Sequence, residues 1–367
     1  MYNGGIIVTM LLETPLTVWH KAQGAKMAGF AGWDMPIQYT GILAEHEHTR
    51  KKVSVFDICH MGEFLIYGNL ASKALSEAVT HNLDTLKVGK CRYGFLLNNE
   101  GNILDDLIVY RMDTDSFMLV VNGACAANDF TVLKERMPSG VVLEDVSNAT
   151  AKIDLQGPES LDVLESLMQE SFKHLAYFSF EECAFMGEKI LISRTGYTGE
   201  LGYELYLPWD KALPLWEKLL QDERVKPAGL GARDTLRLES GLPLYGHELD
   251  DKHNPTEAGM GKMLTSVVSY VGHEFVGNVR QCLLPLRIEG RRAARAGDKL
   301  ILSSGEEVGI VTSGSFAPSL GYVIAFAWVD LDYASKVEFL VKTARVSLPA
   351  TVVSLPFYDK GTARIKL

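Results

Sequence analysis

Two predicted β-hairpins are the clearest feature in the pattern of apolar and polar positions along the chain. In the first, the β-rich runs LDDLIVYR and FMLVVNG are separated by the polar residues MDTDS. In the second, KILISR and YELYLP flank TGYTGELG, a connection that contains three glycines. Branched and aromatic runs on either side of a polar or glycine-rich turn are typical of paired antiparallel strands. The pattern therefore predicts a hairpin in each segment.

Helical periodicity appears between and after these strands. Residues 41–53 read as a helix that leads into a strand, residues 64–69 as a strand, and residues 70–80 as a helix. In residues 209–223, apolar side chains recur at spacings of three and four, which predicts an amphipathic helix. A further helix is predicted over residues 231–239.

The C-terminal part of the chain has a different character. Residues 285–355 consist of short β-rich pieces separated by Gly, Ser and Pro, with little helical periodicity, which predicts a separate all-β domain. The earlier part mixes strands and helices without the strict βαβ alternation of a nucleotide-binding sheet, so the predicted class is α+β. A chain of 367 residues also exceeds what one hydrophobic core usually organises, so two or three domains are expected.

Composition narrows the function mainly by exclusion. The formal net charge is −10 and the isoelectric point is about 5.5, which argues against binding to a nucleic-acid backbone. No apolar run reaches the length of a membrane span, and the N-terminal run GIIVTMLL lacks the basic flank and cleavage site of a signal peptide. Met10 is an alternative start that the sequence alone does not decide.

The five cysteines favour a reducing compartment. They are widely spaced, odd in number and form no CxxC motif, so neither a disulfide framework nor a structural zinc site is expected. We predict that each thiol is a small buried apolar group. The expected location is the cytoplasm, or the mitochondrial matrix in a eukaryote, although no transit peptide is evident.

Two segments that resemble a phosphate-binding loop and a metal site do not have the spacing that those sites require. GMGKML lacks the first glycine and the Ser or Thr of a phosphate-binding loop, and no GxGxxG follows a predicted strand. His46 and His48 are two residues apart on a predicted helix, so their side chains point about 200° apart and cannot share a metal ion. We interpret them as part of a surface face of that helix, and no metal site is predicted.

Three charged groups remain as candidates for chemistry. Asp105 and Asp106 are adjacent in a predicted strand, so their side chains point to opposite faces and do not form a carboxylate dyad. Glu204 stands in the middle of a predicted strand, and Arg233 lies on one face of a predicted helix together with Arg237. From the pattern alone, solvated or capping positions are the favoured interpretation of all these side chains.

A series of blocks then resembles a known family, the aminomethyltransferases (T-proteins) of the glycine cleavage system. The resemblance extends over nearly the whole chain and rests on GWDMPIQY, VFDICHMGE, NNEGNILDDLIVY, LVVNG, LQGP, RTGYTGELGYE, GARDTLRLESGLPLYGHEL, PTEAG and VTSGSFAPSLG. It implies an α+β fold of three domains arranged as a cloverleaf around a central folate cavity, with a C-terminal all-β, barrel-like domain.

The resemblance also implies approximate domain boundaries. Residues 1–55 and 145–245 would form an α+β folate-binding domain. Residues 56–144 together with 246–280 would form a second α+β domain, and residues 281–367 would form the C-terminal β domain.

The same resemblance assigns candidate site residues. Asp105 matches the catalytic aspartate of the family, which places it toward the cavity and leaves Asp106 on the other face in a structural hydrogen-bonding role. Glu204 matches the carboxylate that holds the pterin ring, whose ring N–H and exocyclic amine it can accept together. The expected folate-contacting residues are Met61, Tyr93, Asn122, Tyr197, Glu204 and Arg233.

The implied reaction transfers the methylene of an aminomethyl-lipoyl group, carried by the H-protein, to tetrahydrofolate. Ammonia leaves and methylenetetrahydrofolate forms. Asp105 would hydrogen-bond the folate amine, manage a proton or stabilise developing positive charge, and the sequence does not choose among these roles. The basic stretch at residues 286–299 is either a docking surface for an acidic carrier or a solvated rim of the β domain.

Two other branches of the same fold are alternatives. A folate-dependent demethylase of a small methylated compound would share the folate site and need no protein partner. A non-catalytic folate-binding protein of iron–sulfur cluster maintenance would carry a K-G-C-Y-x-G-Q-E motif, which neither VGKCRYG nor EECAFMG matches. The aminomethyltransferase is the favoured prediction.

Overall fold

The computed structural model describes residues 10–290 and 292–367. The prediction about a signal peptide and an alternative start concerns residues that lie mostly outside this part. The α-helices of the described residues are α1 (Thr17–Ala22), α2 (Ile42–Lys51), α3 (Ala71–Ala78), α4 (Ala126–Arg136), α5 (Ser160–Met168), α6 (Ala212–Leu219) and α7 (Leu230–Glu239). Single 3₁₀ turns lie at Ser147–Ala149, Trp209–Lys211, Gly261–Met263, His273–Phe275 and Leu331–Tyr333.

The strands of the same residues form two open sheets, a small hairpin and a barrel. They are β1 (Lys26–Phe30), β2 (Trp33–Gln38), β3 (Val53–Asp57), β4 (Gly62–Tyr67), β5 (Cys91–Leu97), β6 (Ile103–Asp113), β7 (Ser116–Val121), β8 (Val142–Asp145), β9 (Thr150–Gln156), β10 (Phe180–Phe185), β11 (Glu188–Ser193), β12 (Gly202–Pro208), β13 (Val225–Pro227), β14 (Gln281–Ile288), β15 (Lys299–Ile301), β16 (Glu307–Ala317), β17 (Tyr322–Asp330), β18 (Glu338–Lys342) and β19 (Ser347–Val352).

The first sheet has six strands in the order β10-β11-β12-β9-β3-β13, and all its neighbours are antiparallel except β13 and β3. Helices α5 and α6 cover one face, where alternate residues of β9 and β12 bury apolar side chains against the fully buried Trp216. The residues that point to the other face of β9 and β12 are polar. This alternation decides which side chains reach the site described below.

The second sheet has five antiparallel strands in the order β5-β6-β7-β4-β8. Its helix-covered face packs against α3 and α4, with Leu107 and Val109 of β6 among the buried residues. The opposite face meets the first sheet in a shared apolar cluster, where the Tyr110 and Tyr206 hydroxyls are 2.9 Å apart. The faces of the two sheets that α3, α4, α5 and α6 leave uncovered therefore face each other.

The last six strands close into a barrel in the order β14-β17-β16-β15-β18-β19, with β19 paired back to β14. Its core is built from small and branched residues of alternate positions. The predicted C-terminal β domain is confirmed, and so are the two predicted hairpins, β6–β7 and β11–β12. The α+β class is confirmed, while the domain boundaries stay predictions.

Buried ion pairs join α2 to α7 and to the β11–β12 connection. Arg50 of α2 donates to Glu200 at 2.8 Å and to Glu239 of α7 at 2.9 Å, and its side chain is buried. His46 is also buried, with its ring nitrogens 2.8 Å from Thr235 Oγ1 and 3.0 Å from Ser319 Oγ. The prediction of a surface position is therefore wrong for His46, because α7 and a barrel loop cover that side of α2.

The segment after the barrel returns to the first sheet. The backbone N–H of Ala363 donates to Gly199 O at 3.1 Å, and Thr362 Oγ1 donates to Glu200 Oε2 at 2.6 Å. Arg194 donates to the carbonyl oxygen of Ile365 at 2.6 Å. These contacts attach the C-terminal segment, residues 362–365, to the β11–β12 connection.

Candidate active site between the two sheets

The orientation of the two adjacent aspartates is the first result at the site. Asp105 is fully buried and pairs in register with Leu96, whose side chain belongs to the core beneath α3 and α4. Asp106 is partly exposed on the opposite face, which is turned toward the first sheet. The expectation that Asp105 faces the cavity and Asp106 faces away is therefore wrong, because the strand presents the two residues in the reverse sense.

Asn122, just after β7, fixes both carboxylates. Its backbone N–H donates to Asp105 Oδ2 at 2.9 Å, and its side-chain amide donates to Asp105 Oδ1 at 2.8 Å and to Asp106 Oδ1 at 2.9 Å. The Tyr93 hydroxyl donates to the other oxygen of Asp106 at 3.0 Å. The Asp106 carboxylate is thus held from two sides while its face remains open to the space between the sheets.

The pKa of this pair is shifted upward. Burial and the negative charge of Asp105 together raise the pKa of Asp106 to about 7, against the opposing effect of the bonds from Tyr93 and Asn122. Burial and the nearby Asp129 of α4 also raise the pKa of Asp105 well above its ordinary value. Carboxyl groups placed this close in an apolar setting share protons at neutral pH.

Glu204 lies on the first sheet, on the face that is turned toward the second sheet. It is buried in the middle of β12, where Thr195 Oγ1 donates to Oε2 at 2.6 Å and the Tyr206 hydroxyl donates to the same atom at 3.3 Å. The ammonium of Lys152 on β9 is 3.5 Å from the other oxygen, Oε1. Burial opposes ionisation, but Lys152 and the Thr195 bond hold the pKa of Glu204 below its ordinary value. Glu204 is therefore an ionised acceptor.

Arg233 reaches the same space from the first turn of α7. Its guanidinium forms an ion pair with the buried Asp154 of β9, and it lies over the ring of Tyr197, 5.0 Å from the ring centroid. Tyr197 belongs to the glycine-rich β11–β12 connection, and its hydroxyl donates to the Pro243 carbonyl oxygen. Asp154 pairs in register with Glu204, so the two carboxylates share one face of the sheet.

The two sides of the site lie within electrostatic reach of each other. Burial, together with the charges of Arg233 and Lys152, lowers the pKa of His60 to about 4, although the carboxylate of Asp57 opposes the shift. Burial raises the pKa of Glu63 to about 8, an effect that Lys152 opposes and Glu204 reinforces. His60 Nδ1 and Glu63 Oε1 are buried and have no hydrogen-bond partner among the residues that the structure describes.

The structure thus brings the sequence-predicted residues to one region, with the single reversal of the aspartate pair. We call this region the cleft; it is lined by partly exposed side chains of both sheets, their connections and α7, namely Met61, Tyr93, Asp106, Asn122, Tyr197 and Arg233. Asp105 lies behind it. Among the described residues, no cluster of three or more His, Cys, Asp or Glu side chains is placed to hold a metal ion.

Sequence reasoning missed Lys152, Asp154 and Glu63. Lys152 and Asp154 alternate with apolar residues in TAKIDLQ, so the pattern alone assigns them to a solvent-facing side of the strand. Their burial reveals that this side is covered by the second sheet. Two charged residues at alternate positions of this β-rich stretch were the available sign of an internal polar cleft.

The arrangement suits a neutral, flat, hydrogen-bonding heterocycle with a reacting amine. An ionised carboxylate on one side can accept two parallel N–H donors, and a carboxylate of near-neutral pKa on the other side can act on a group that gains positive charge or a proton. The fold and the cleft together define a multidomain enzyme with one polar site between two sheets.

Comparison with known proteins gives the family. The model described as "GCVT N-terminal domain" matches residues 16–266, and the "Glycine cleavage T-protein C-terminal barrel domain" matches residues 280–359. The chain is 39% identical over 361 residues to the aminomethyltransferase of Saccharopolyspora erythraea, covering 95% of this chain and 98% of that protein. The aminomethyltransferase of Thermotoga maritima is 39% identical over 361 residues, with 96% and 99% covered.

A solved structure supports the same assignment. The glycine cleavage system aminomethyltransferase T of Bartonella henselae has a TM-score of 0.91 and 34% identity, covering 96% of this chain and 99% of that one. The chain therefore belongs to the glycine cleavage T-protein family of aminomethyltransferases. The family predicted from the sequence is confirmed. Within the described residues, no helix is both long and apolar enough to cross a bilayer.

Proposed function

We propose that the protein transfers the methylene of an aminomethyl group, held on a lipoyl carrier protein, to tetrahydrofolate, and that ammonia is released. The single observation that carries this proposal is that Glu204 and Asp106 lie on the facing surfaces of the two sheets, which meet in one shared cluster. One carboxylate is suited to bind a pterin and the other to assist its reacting amine.

The pterin side of the proposal rests on Glu204. Its low pKa keeps it an acceptor, and its position in the rigid middle of β12 fixes the direction of its oxygens. The 2-amino group and the adjacent ring N–H of a pterin are parallel donors that match a carboxylate. The unpartnered His60 Nδ1 and Glu63 Oε1 add polar atoms that a heterocycle would satisfy. Arg233, Tyr197 and Met61 would line the remainder of its binding site.

We propose Asp106, in place of Asp105, as the catalytic aspartate. When bound, tetrahydrofolate supplies the amine nitrogen that takes the methylene carbon. Asp106 in its ionised form would stabilise positive charge that develops near that nitrogen and would accept its proton. The Tyr93 hydroxyl and the Asn122 amide hold the carboxylate in position. Asp105 would act indirectly, since it accepts two bonds from Asn122 and so fixes the amide that holds Asp106.

The partner and compartment follow from the reaction. A lipoylated H-protein is the expected carrier. The basic stretch at 286–299 remains a candidate docking surface, with Arg287 in β14 and Arg295 exposed beside the barrel. The cytoplasm remains the predicted location. The demethylase alternative is not favoured, since the relatives described above are aminomethyltransferases over the full length of the chain.

The experiment is ammonia release from aminomethyl-loaded H-protein, with and without tetrahydrofolate. We expect strong stimulation by the folate and a turnover that rises with pH through about 7, because Asp106 must lose its proton to act. Asp106→Asn should lower turnover by about 10²–10³-fold and abolish the pH-dependent rise. Asp105→Asn should lower turnover by no more than about tenfold, since the oxygen of the new amide still accepts one hydrogen bond from Asn122.

Opposite results for the two variants would return the catalytic role to Asp105. An absence of folate-stimulated ammonia, combined with measurable folate binding, would instead favour the demethylase alternative. Unchanged turnover in both variants would remove the aspartate pair from the mechanism.

A further inference from the structure

Lys152 is a buried cation whose hydrogen-bonding capacity is incompletely used. Its side chain is 1% exposed on β9, on the same face as Glu204 and Asp154. The ammonium lies 3.4 Å from Met61 Sδ, 3.5 Å from Glu204 Oε1 and 5.1 Å from the centroid of the Tyr206 ring. An ammonium has three N–H donors, and a thioether is a weak acceptor. The carboxylate distance is also longer than that of a charge-assisted hydrogen bond.

A purely structural role accounts poorly for this lysine. Removing an ammonium from water costs several kcal/mol, and a buried ion pair repays that cost only with close geometry and satisfied donors. Here the geometry is loose, and the neighbouring Tyr206 and Met61 would pack equally well against an apolar side chain. Glu204 also already accepts bonds from Thr195 and Tyr206, so it does not require Lys152 in order to be hydrogen-bonded. The free donors of Lys152 therefore suggest a missing acceptor.

The position of Lys152 identifies the chemistry of that acceptor. The ammonium stands beside the Glu204 carboxylate and reaches Met61 at the edge of the cleft. One edge of a pterin presents an amino donor, a ring N–H donor and a 4-oxo acceptor in a row. A carboxylate flanked by an ammonium offers two acceptors and a donor in the matching order.

We propose that Lys152 is a specificity-determining residue that donates a hydrogen bond to the 4-oxo group of the bound pterin. The inference rests on the proposed function, in which Glu204 holds the pterin. It adds a third point of recognition to the same ring edge. It also assigns to this protein a preference for 4-oxo over 4-amino pteridines.

The test compares tetrahydrofolate with 4-amino-4-deoxytetrahydrofolate by anaerobic titration calorimetry. The second compound replaces the 4-oxo acceptor with an amino donor, and its N3 carries no proton, so two positions of that ring edge change. We expect Lys152→Met to lower the ratio of the 4-amino Kd to the 4-oxo Kd at least tenfold relative to the unmodified protein. The change in this ratio between the two proteins is the informative quantity, because the missing N3 proton is common to both titrations of the 4-amino compound, whereas the ammonium is absent only from the variant.

Control variants separate the proposed contact of Lys152 from the general effects of losing a positive charge or of unfolding. Lys189→Met removes an exposed lysine of β11 that pairs with Glu182 at 2.6 Å, and it should leave the ratio unchanged. If Lys152→Met does not fold, Lys152→Gln keeps a polar head and should lower the ratio at least threefold. Thermal unfolding of each variant reports whether the fold is intact.

The outcomes distinguish this inference from the proposed function. Suppose that both Lys152 variants still bind tetrahydrofolate with a ratio within twofold of the unmodified protein, and that Glu204→Gln weakens binding. This result overturns the role of Lys152 and leaves the pterin site at Glu204 in place. Tetrahydrofolate binding that is indifferent to Glu204→Gln overturns the pterin site and this inference with it.

Discussion

Replacing Asp106 by asparagine should make the protein more stable above neutral pH. The carboxylate lies between the two sheets, largely removed from solvent and beside Asp105, so its negative charge is costly to hold there. Asparagine has nearly the same shape and keeps both contacts: its oxygen accepts from the Asn122 amide, and its nitrogen donates to the Tyr93 hydroxyl oxygen. The variant therefore removes the charge without opening a cavity or leaving a polar group unpaired.

The size and sign of the effect follow from the pKa. The pKa of Asp106 is about 7 in the folded protein and 3.8 in its ordinary state, so the folded form holds a proton that the unfolded chain releases. The stability that this proton contributes is complete below pH 4 and is lost as the pH rises through 7. At 1.36 kcal/mol per unit, the cost of the charge is about 1.5 kcal/mol at pH 5 and about 4 kcal/mol at pH 8.

Urea unfolding of both proteins at pH 5 and pH 8 measures this difference. Asp106→Asn should be more stable at both values, with a gain about 2–3 kcal/mol larger at pH 8. Asp210→Asn, at a residue that is 75% exposed, is the matched control and should differ by less than about 0.5 kcal/mol at either pH. If the gain in stability is absent, or does not increase with pH, the reasoning that ionised Asp106 destabilises the folded protein is refuted.

Two further predictions concern the framework around the cleft. Arg50→Met should lower the free energy of unfolding by about 3–5 kcal/mol in urea, since it removes the cation that pairs with two buried carboxylates, Glu200 and Glu239; a loss below about 1 kcal/mol would show that water replaces the guanidinium. Gly123→Ala would place a Cβ 1.9 Å from the His60 carbonyl oxygen and displace the loops that carry Met61 and Asn122. It should weaken tetrahydrofolate binding at least tenfold in calorimetry, whereas Gly277→Ala, which meets no atom within 4 Å, should not.

The sequence predicted the strands around the site better than the direction of its side chains. Alternation correctly places Asp105 and Asp106 on opposite faces, but it does not say which face is which. In β6, the residues two positions away from each aspartate are Ile103 and Leu107 for one and Leu104 and Ile108 for the other, so both faces are apolar. Helices cover one face and the first sheet covers the other, and only the tertiary arrangement distinguishes them.

The sequence pattern did not predict the buried polar residues of the cleft, for a related reason. Polar residues at alternate positions of β9, and Glu204 in β12, have the pattern of a strand with one wet face. In the structure that face is enclosed by the second sheet. A polar internal site and a solvated surface produce the same alternation, because in both cases the side chains avoid the apolar core. Blocks recognised as belonging to a family could locate Glu204 and Arg233, but not Lys152 or Asp154.

The contacts of the C-terminal segment with the first sheet restrict which parts of the chain can be exchanged between related proteins. The barrel match ends at residue 359, yet residues 362–365 bond to Arg194, Gly199 and Glu200 around the connection that carries Tyr197. A chimera that exchanges the barrel alone would therefore pair the tail of one protein with the loop of another. A working exchange has to move the tail and its loop together, so the functional module is discontinuous along the gene.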